Sequence, residues 1–426
     1  MASDSASVRG IVRQLFSFER DVLVLSLSMF AFSLGFQMTG RYMGRYLDLL
    51  GASAVVIGLY GTVGNVISFA YPYPGGALSD RIGSRTALTL FGLLSTLGFV
   101  LWAAAGALGL GVGAVFVGLL LVQCWQSFGL GATFAVVKQS VRDDRLATGF
   151  ASTETVRRTA FLVGPLLAAA LVARYGFSLG FRYVIAVAAV AALVGTVAQH
   201  FLYDPEGDTL GKSFAGVGQL AADLRNLPPE LPPLLLGDTL VRFANGMVYT
   251  FFVIVVTQFL RVSATLPVVG YLGPDAFFGV LLAVEMAVAL LTMVPVAALT
   301  RRVGLKPVVA LGFAVYAVFP VLLVHAPADP VAVALLFAFS GLRFAGLPAH
   351  KALIVGPAER NAGGRVAGSY YLVRNFVVIP SAAIGGVLYG YSPELAFTAA
   401  SAVGVLGVVL FLAFGRDFEG TASTVA

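Results

Sequence analysis

Glu285 is a carboxylate in the middle of a long apolar stretch of the sequence. Ionisable side chains are costly inside a membrane-spanning segment, and they usually face a cavity or a charged partner. At 1.5 Å per residue, Glu285 lies about 18 Å into its predicted helix, close to the midplane of a bilayer. Burial disfavours the charged form of a carboxyl group, so a proton can be exchanged there. We therefore predict that Glu285 carries a proton, with a fixed ion pair between two helices as the alternative.

Further charged residues lie at comparable depth in other apolar stretches. They are Arg157, Arg158, Arg242, Arg343, Arg374, Asp238 and Glu154. Asp238 and Arg242 are four residues apart, as are Glu154 and Arg158, so each pair can neutralise itself along one helix face.

Three arginines, Arg157, Arg343 and Arg374, remain as candidate partners of Glu285. In all, five arginines face three carboxylates, an excess of positive charge that a dry interior does not tolerate without compensation. The planar guanidinium group binds carboxylate or phosphate through two parallel hydrogen bonds. We therefore expect an anionic substrate or a lipid group to supply part of the missing charge, unless Arg157 lies near the cytoplasmic surface and reaches water.

Polar residues on the same predicted helices extend the candidate substrate pathway. Tyr370 shares a helix face with Arg374, and Asn245 is one of several polar residues that can line the pathway. Hydrogen bonding or packing between helices explains such residues equally well. His350 and Lys351 are expected at the membrane interface, near the cytoplasmic end of their predicted helix, residues 330–355.

The composition of the chain is that of a membrane protein. Of 426 residues, 58% are hydrophobic and 11% are charged, whereas a soluble domain carries about 25% charged residues. Apolar stretches long enough to cross a bilayer recur along the whole sequence, and they are continuous rather than alternating, which favours helices over the strands of a barrel. Membrane topology explains the net charge of +6, so nucleic acid is not expected as a partner.

We predict an all-α integral membrane protein with twelve transmembrane helices. The predicted spans are 22–47, 54–79, 86–107, 112–138, 147–173, 179–202, 232–260, 273–299, 306–325, 330–355, 365–390 and 394–415. Seventeen Lys and Arg residues fall on the side of the amino terminus, and five fall on the other side: Arg41, Arg45, Arg174, Arg182 and Arg261. This bias predicts a multi-pass protein of the plasma or inner membrane with both termini in the cytoplasm.

An internal repeat divides the chain into two pseudo-symmetric bundles of six helices. The stretch from Tyr73 to Arg85 recurs in degraded form from Val294 to Lys306, and each copy ends the second span of its half. The polar, proline-rich connection 204–231 is predicted to be a cytoplasmic linker. We therefore expect an amino-terminal bundle, residues 1–203, and a carboxy-terminal bundle, residues 232–426, as in duplicated transporters.

A motif of the form Gly-x-x-x-Asp-Arg/Lys-x-Gly-x-Arg/Lys occupies the predicted cytoplasmic turn after the second span. Its residues are Gly76, Asp80, Arg81, Gly83 and Arg85. In this motif, and along nearly the whole chain, the sequence resembles the major facilitator superfamily (MFS). The resemblance implies the MFS fold and a conformational gate at these residues, in which Asp80 accepts from Arg85 or sits at a helix amino terminus. An ordinary basic turn is the alternative, and in the second copy Arg301 replaces the acidic residue.

Gly164 and Pro165 lie in the fifth predicted span. Their surroundings resemble the superfamily's antiporter signature, with Ala160 and Ala168 at two of its glycine positions. The resemblance favours export. Close packing of helices through small residues is an equal alternative.

The sequence contains no nucleotide-binding loop and no metal-ligating Cys/His spacing, so we expect no cofactor, no metal site and no enzyme activity. We expect a secondary active transporter that moves a small organic solute by alternating access, coupled to protons, with export favoured. Proton-coupled uptake of an organic anion is the alternative. A transporter-derived receptor or scaffold, or a membrane-embedded enzyme, would belong to other classes. The expected partners are the solute, protons and the lipid bilayer, and the chain is expected to be a monomer.

Overall fold

The structure is a computed structural model, and it describes residues 20–128, 146–203, 228–267, 269–356 and 363–417. In these ranges, ten helical stretches are long and apolar enough to cross a membrane. They are Leu23–Leu49, Ser84–Ala107, Gly111–Phe128, Val156–Leu202, Leu231–Phe259, Pro274–Met293, Leu305–Val324, Pro330–Ile354, Val366–Tyr391 and Pro393–Phe414. The prediction of an all-α integral membrane protein is confirmed.

Turns interrupt several of these stretches, so some of them consist of more than one helix. The first half contains Arg20–Thr39, Met43–Leu49, Ala54–Ala70, Pro72–Ile82, Ser84–Ala107, Gly111–Gln123 and Leu146–Leu202. The second half contains Leu231–Val248, Phe252–Ile254, Pro274–Val303, Leu305–Val324, Pro330–Gly341, Leu347–Val355, Gly363–Val378, Ser381–Tyr391 and Pro393–Phe414. Turns of 3₁₀-helix at Gly40–Tyr42, Tyr249–Phe251 and Leu342–Phe344 join consecutive helices of one stretch.

The fifth and sixth predicted spans form one helical stretch, Leu146–Leu202, of 57 residues. At about 1.5 Å per residue it is far longer than a bilayer is thick. The backbone leaves helical geometry at Gly176, where φ is 72° and ψ is 167°. Glycine adopts this conformation without a steric penalty. The stretch therefore consists of two spans that meet at Gly176, close to the predicted break between 173 and 179.

The second predicted span is divided as well. Ala54–Ala70 ends just before Pro72, and a second helix runs from Pro72 to Ile82. Proline has no N–H group to donate into a preceding turn but suits the first turn of a new helix. Ala54–Ala70 alone is therefore shorter than the ten long stretches, although it is apolar.

A short antiparallel hairpin, which the sequence did not predict, lies between the seventh and eighth spans. Strand β1 is Ala264–Leu266 and strand β2 is Gly270–Leu272, with Thr265 opposite Tyr271. Gly270 has a φ of +78° and allows the chain to enter β2 from the turn.

The described residues form two compact units. The first unit contains residues 20–40 and 70–203, and the second contains residues 41–69 and 228–417. The linker proposed at 204–231, and the domain limits drawn from it, stay a prediction because residues 204–227 lie outside the described ranges.

In the first unit, the first span packs along the stretch Leu146–Leu202. Ser28 Oγ donates a 3.1 Å hydrogen bond to the carbonyl oxygen of Gly195, and the Phe32 ring stacks on Trp125 at 4.1 Å. A polar hydroxyl inside an apolar bundle needs such a carbonyl partner.

In the second unit, glycines allow very close contact between helices. A Cβ atom on Gly58 would lie 2.8 Å from the Cα atom of Gly386, and one on Gly385 would overlap the carbonyl oxygen of Met247. Small residues at helix interfaces are typical of membrane bundles, because they let backbones approach. These contacts hold the eleventh span against the second and the seventh, and the site described below lies on the seventh and eleventh spans and their neighbours.

Candidate functional site

Glu285 lies in the second unit and is 1% exposed. Arg343 Nη2 donates to its Oε1 atom at 2.6 Å, and Ser340 Oγ donates to the same oxygen at 2.5 Å. Arg41 Nη2 donates to Oε2 at 3.1 Å. Both carboxylate oxygens therefore accept charge-assisted hydrogen bonds, which are stronger than hydrogen bonds between neutral groups.

Local structure places these partners. Arg343 lies in the 3₁₀ turn Leu342–Phe344, which joins Pro330–Gly341 to Leu347–Val355. A Cβ atom on Gly341 would lie 2.5 Å from the carbonyl oxygen of Glu285, so only glycine allows this approach. Arg41 lies in a similar turn, Gly40–Tyr42, in the first span.

Asp238 forms a second site and is completely buried. Arg242 Nε donates to its Oδ1 at 3.3 Å, and Arg374 Nη1 donates to Oδ2 at 3.1 Å. Tyr370 donates its hydroxyl to Oδ2 at 3.1 Å. His350 Nε2 lies 3.3 Å from Oδ2, close enough for an ion pair but without hydrogen-bond geometry.

Tyr316 lies between the two sites. Its hydroxyl accepts a 3.2 Å hydrogen bond from Arg242 Nη1, and its ring centroid is 4.9 Å from the guanidinium carbon of Arg242. The same centroid is 5.0 Å from the guanidinium carbon of Arg343. An aromatic face stabilises a cation at such distances, so Tyr316 supports one arginine of each site.

The two sites together carry an excess of positive charge. Each carboxylate has two arginine partners, so four arginines face two carboxylates and these six groups have a net charge of +2. The side chains of Arg242, Arg374 and Arg41 are 24%, 17% and 11% exposed, whereas both carboxylates are at most 2% exposed. The part of the two sites that remains exposed is therefore the cationic part.

A third ion cluster lies beside the first site. Arg45 Nη1 is 2.7 Å from Asp48 Oδ2, and Arg45 Nε is 3.3 Å from Asp275 Oδ1. Tyr42 donates its hydroxyl to the carbonyl oxygen of Asp275 at 3.0 Å. This cluster carries no positive excess, and it links residues 41–69 to the start of the eighth span.

Three sequence expectations about these charged residues differ from the structure. Arg374 was one of three candidate partners of Glu285, but it binds Asp238, because helix Gly363–Val378 faces the seventh span. Arg41 was counted as a residue of the outer side, yet it lies within the first span and binds Glu285. His350 was expected at the membrane interface and is 4% exposed beside Asp238.

The remaining candidates lie elsewhere. Asn245 is half-buried on the seventh span, one turn from Arg242. Arg157 and Arg158 are half-buried in the first unit, where the Arg157 guanidinium lies 5.6 Å from the Phe161 ring. The side chain of Glu154 is not among those described, so its pairing with Arg158 stays a prediction.

The proposed gate is described only in part, because the surroundings of Gly76 and the side chain of Asp80 lie outside the described set. Gly83 has a φ of +82° and begins helix Ser84–Ala107, and Arg81 is exposed. Arg85 is half-buried and lines a small cavity with Gln199. Its role as a gate residue stays a prediction.

The second copy of the motif has an acidic partner that the sequence comparison missed. Gly304 has a φ of +87°, close to that of Gly83. Asp417, which follows the last helix, accepts a 2.6 Å hydrogen bond from the backbone N–H of Lys306. A carboxylate at a helix amino terminus satisfies an N–H group that has no partner within the helix. Asp417 thus contributes an acidic side chain to the turn of the second copy.

Gly164 and Pro165 lie within a long helix, and Gly164 packs on the first span. A Cβ atom on Gly164 would lie 2.9 Å from the Cβ of Gln37. Helix packing therefore accounts for the small residue, and a role in antiport stays a prediction.

Comparison with known proteins places this arrangement in a family. The sequence profile described as the Major Facilitator Superfamily matches residues 25–273. An uncharacterised MFS-type transporter of Methanocaldococcus jannaschii is 21% identical over 403 residues, which cover 92% of this chain and 94% of that protein.

Solved structures support the same fold. A peptide transporter POT in complex with sulfate superposes with a TM-score of 0.73 at 16% identity, covering 96% of this chain and 99% of that chain. The nucleoside transporter NupG superposes with a TM-score of 0.72 at 14% identity, covering 93% and 98%. These proteins are transporters. The prediction that this chain is a secondary membrane transporter rather than an enzyme is confirmed. The chain belongs to the major facilitator superfamily.

Proposed function

We propose that this transporter moves a small organic anion together with protons, by alternating access, across the cell membrane. The observation that carries the proposal is the pair of buried carboxylates, Asp238 and Glu285, each bound by two arginines. Removing charge from water is costly, and an uncompensated charge inside a membrane protein marks a substrate or ion pathway. An anion that binds beside the exposed faces of Arg242, Arg374 and Arg41 would reduce the net charge of the site.

Glu285 is the proposed point of coupling to protons. While it is ionised, it occupies donors of Arg343 and Arg41. A proton on Glu285 removes its charge, so both guanidinium groups can interact more strongly with an anionic solute. Because linkage is reciprocal, the bound anion then increases the affinity of Glu285 for its proton. Proton and anion therefore bind together and move in the same direction.

This coupling favours proton-coupled uptake over export. The prediction of export from the sequence depended on the antiporter-like residues Gly164 and Pro165. Close packing against Gln37 explains Gly164 without antiport. We propose a plasma- or inner-membrane protein with cytoplasmic termini, on the basis of the Lys/Arg asymmetry of the sequence. In that orientation the first span ends, and the second begins, on the outer side.

The test uses proteoliposomes that contain the purified chain and trap a fluorescent pH indicator. Anionic, neutral and cationic organic solutes are added outside, and the inward movement of protons is recorded against protein-free liposomes. We expect a protein-dependent response to one or more anionic solutes. A response confined to neutral or cationic solutes would contradict the proposal, and binding without flux would favour a receptor.

Arg343→Gln and Arg174→Gln form a matched pair of variants for this assay. Arg343 is 3% exposed and contacts Glu285, whereas Arg174 is an exposed arginine of the first unit. We expect anion-driven proton movement to fall sharply in the first variant and to persist in the second.

A further inference from the structure

The positive charge in the second unit is divided between two places. Asp238 with Arg242 and Arg374 has a net charge of +1, and Glu285 with Arg41 and Arg343 also has a net charge of +1. A substrate with a single acidic group would neutralise one place and leave the other charged. We infer that the transported solute carries two separate acidic groups, one for each site, an inference that rests on the proposed transport of an organic anion.

Each site has an arginine that a solute can reach. Arg242 and Arg374 at the Asp238 site are partly exposed, and so is Arg41 at the Glu285 site. The carboxylates lie behind these arginines and are sealed from solvent. An acidic group that approaches either site therefore meets a guanidinium before it meets a carboxylate.

The distance between the sites limits the length of the solute. The guanidinium carbons of Arg242 and Arg343 lie 4.9 and 5.0 Å from the Tyr316 centroid, so they are at most about 10 Å apart. A solute with an acidic group at each end and a length of about 10 Å is therefore long enough to span the two sites.

Aromatic rings flank both ends of this arrangement. Arg374 lies 4.7 Å from the Tyr371 ring, and Arg41 lies 4.6 Å from the Tyr249 ring. Rings beside guanidinium groups hold them in fixed orientations and provide apolar surface for the carbon chain of a solute. The solute class is therefore a small dicarboxylate, or a similar organic acid with two separated anionic groups.

The test measures binding to the purified full-length chain in detergent, as a shift of the thermal unfolding midpoint with ligand concentration. The probes are linear dicarboxylates from malonate to suberate, their monomethyl esters and their dimethyl esters. Each ester has nearly the size of its parent acid and lacks one or both charges. Glycerol phosphate tests two charges on one group.

We expect at least one dicarboxylate to bind about ten-fold or more tightly than its monomethyl ester, the effect of losing one charge-assisted contact. In Arg374→Gln the dicarboxylate should lose about the same factor, while the monoester, which can use the Glu285 site, should lose less. The variant Arg45→Gln, which alters the neighbouring cluster outside both sites, should retain the preference for the diacid.

Other results would separate failures of the two proposals. If every monoester binds as tightly as its diacid and the diesters do not bind, the inference of two acidic groups is wrong and anion transport stands. If glycerol phosphate binds more tightly than every diacid, the inference of separated groups is wrong. If the diesters bind as tightly as the acids, both proposals are wrong. Absence of binding by every acid overturns the dicarboxylate assignment.

Discussion

The contact between Arg343 and Glu285 can be measured by a double-mutant cycle. Both side chains are 2% exposed, the oxygen and nitrogen atoms are 2.6 Å apart, and Tyr316 and Phe344 cover the guanidinium at 5.0 and 4.8 Å. A buried hydrogen bond between charged groups contributes about 1.5–3 kcal/mol. Because Arg41 and Ser340 still bind the carboxylate when Arg343 is replaced, we expect a coupling free energy of about 2 kcal/mol.

The cycle compares the free energies of unfolding of wild type, Arg343→Gln, Glu285→Gln and the double variant, measured by chemical denaturation in detergent. A second cycle with Arg343→Gln and Glu394→Gln serves as the control, because Glu394 lies in the first turn of the last helix, outside both sites. The control coupling should be much smaller, since the changes in unfolding free energy caused by mutations at independent sites add within about 0.5 kcal/mol. A Glu285 coupling no larger than the control would refute the pairing described here.

Three further predictions concern stability. Asp238→Asn should destabilise the chain by about 3 kcal/mol, because it leaves two arginines without their buried counter-charge. Asp48→Asn, at a side chain that is 39% exposed, should change the free energy of unfolding by less than about 1 kcal/mol. Equal effects of the two substitutions would show that burial does not set the size of the loss. Gly385→Ala should lower the unfolding midpoint strongly, since its Cβ would overlap the Met247 carbonyl, and Gly368→Ala, with nothing within 4 Å, should not. Asp417→Ala should cost about 1 kcal/mol through loss of the contact with the Lys306 N–H, and a smaller loss in Asp417→Asn, which can still accept, would be consistent with capping.

Much of the helical framework follows from hydropathy alone. Within the described residues, every predicted span contains helix, because a helix satisfies the backbone hydrogen bonds of an apolar run inside lipid. The break near Gly176 and the proline at Pro72 divide helices in ways that a hydropathy window does not resolve. The hairpin β1–β2 was missed because three-residue strands leave almost no periodic pattern.

The sequence identified individual charged residues of the site, but not most of the contacts between them. Glu285, Asp238 and Arg374 stood out as charges in apolar runs, and the pairing of Asp238 with Arg242 follows from helical spacing. Sequence spacing carries no information on which helices meet, so it could not assign Arg374 to Asp238 or bring His350 to the same carboxylate. Those contacts depend on the packing of three separate spans.

Arg41 shows what a stricter use of the sequence would have found. It lies inside the first predicted span, which ends at residue 47, and yet it was counted with the outer connection. Treating every arginine within a predicted span as buried would have added Arg41 and Arg45 to the three candidate partners of Glu285. The sequence already showed an excess of positive charge, but the division of that charge between two sites requires the three-dimensional arrangement.

We propose that Glu285 couples proton movement to the transport of an organic anion. The most direct measurement is solute accumulation in proteoliposomes, with and without an imposed pH gradient, for wild type, Glu285→Gln and the control Glu394→Gln, which alters a residue in the first turn of the last helix. Glu285→Gln should lose accumulation driven by the pH gradient while still exchanging solute across the membrane without a gradient, and Glu394→Gln should behave as wild type. Full gradient-driven accumulation by Glu285→Gln would contradict the proposed role of Glu285 in proton coupling.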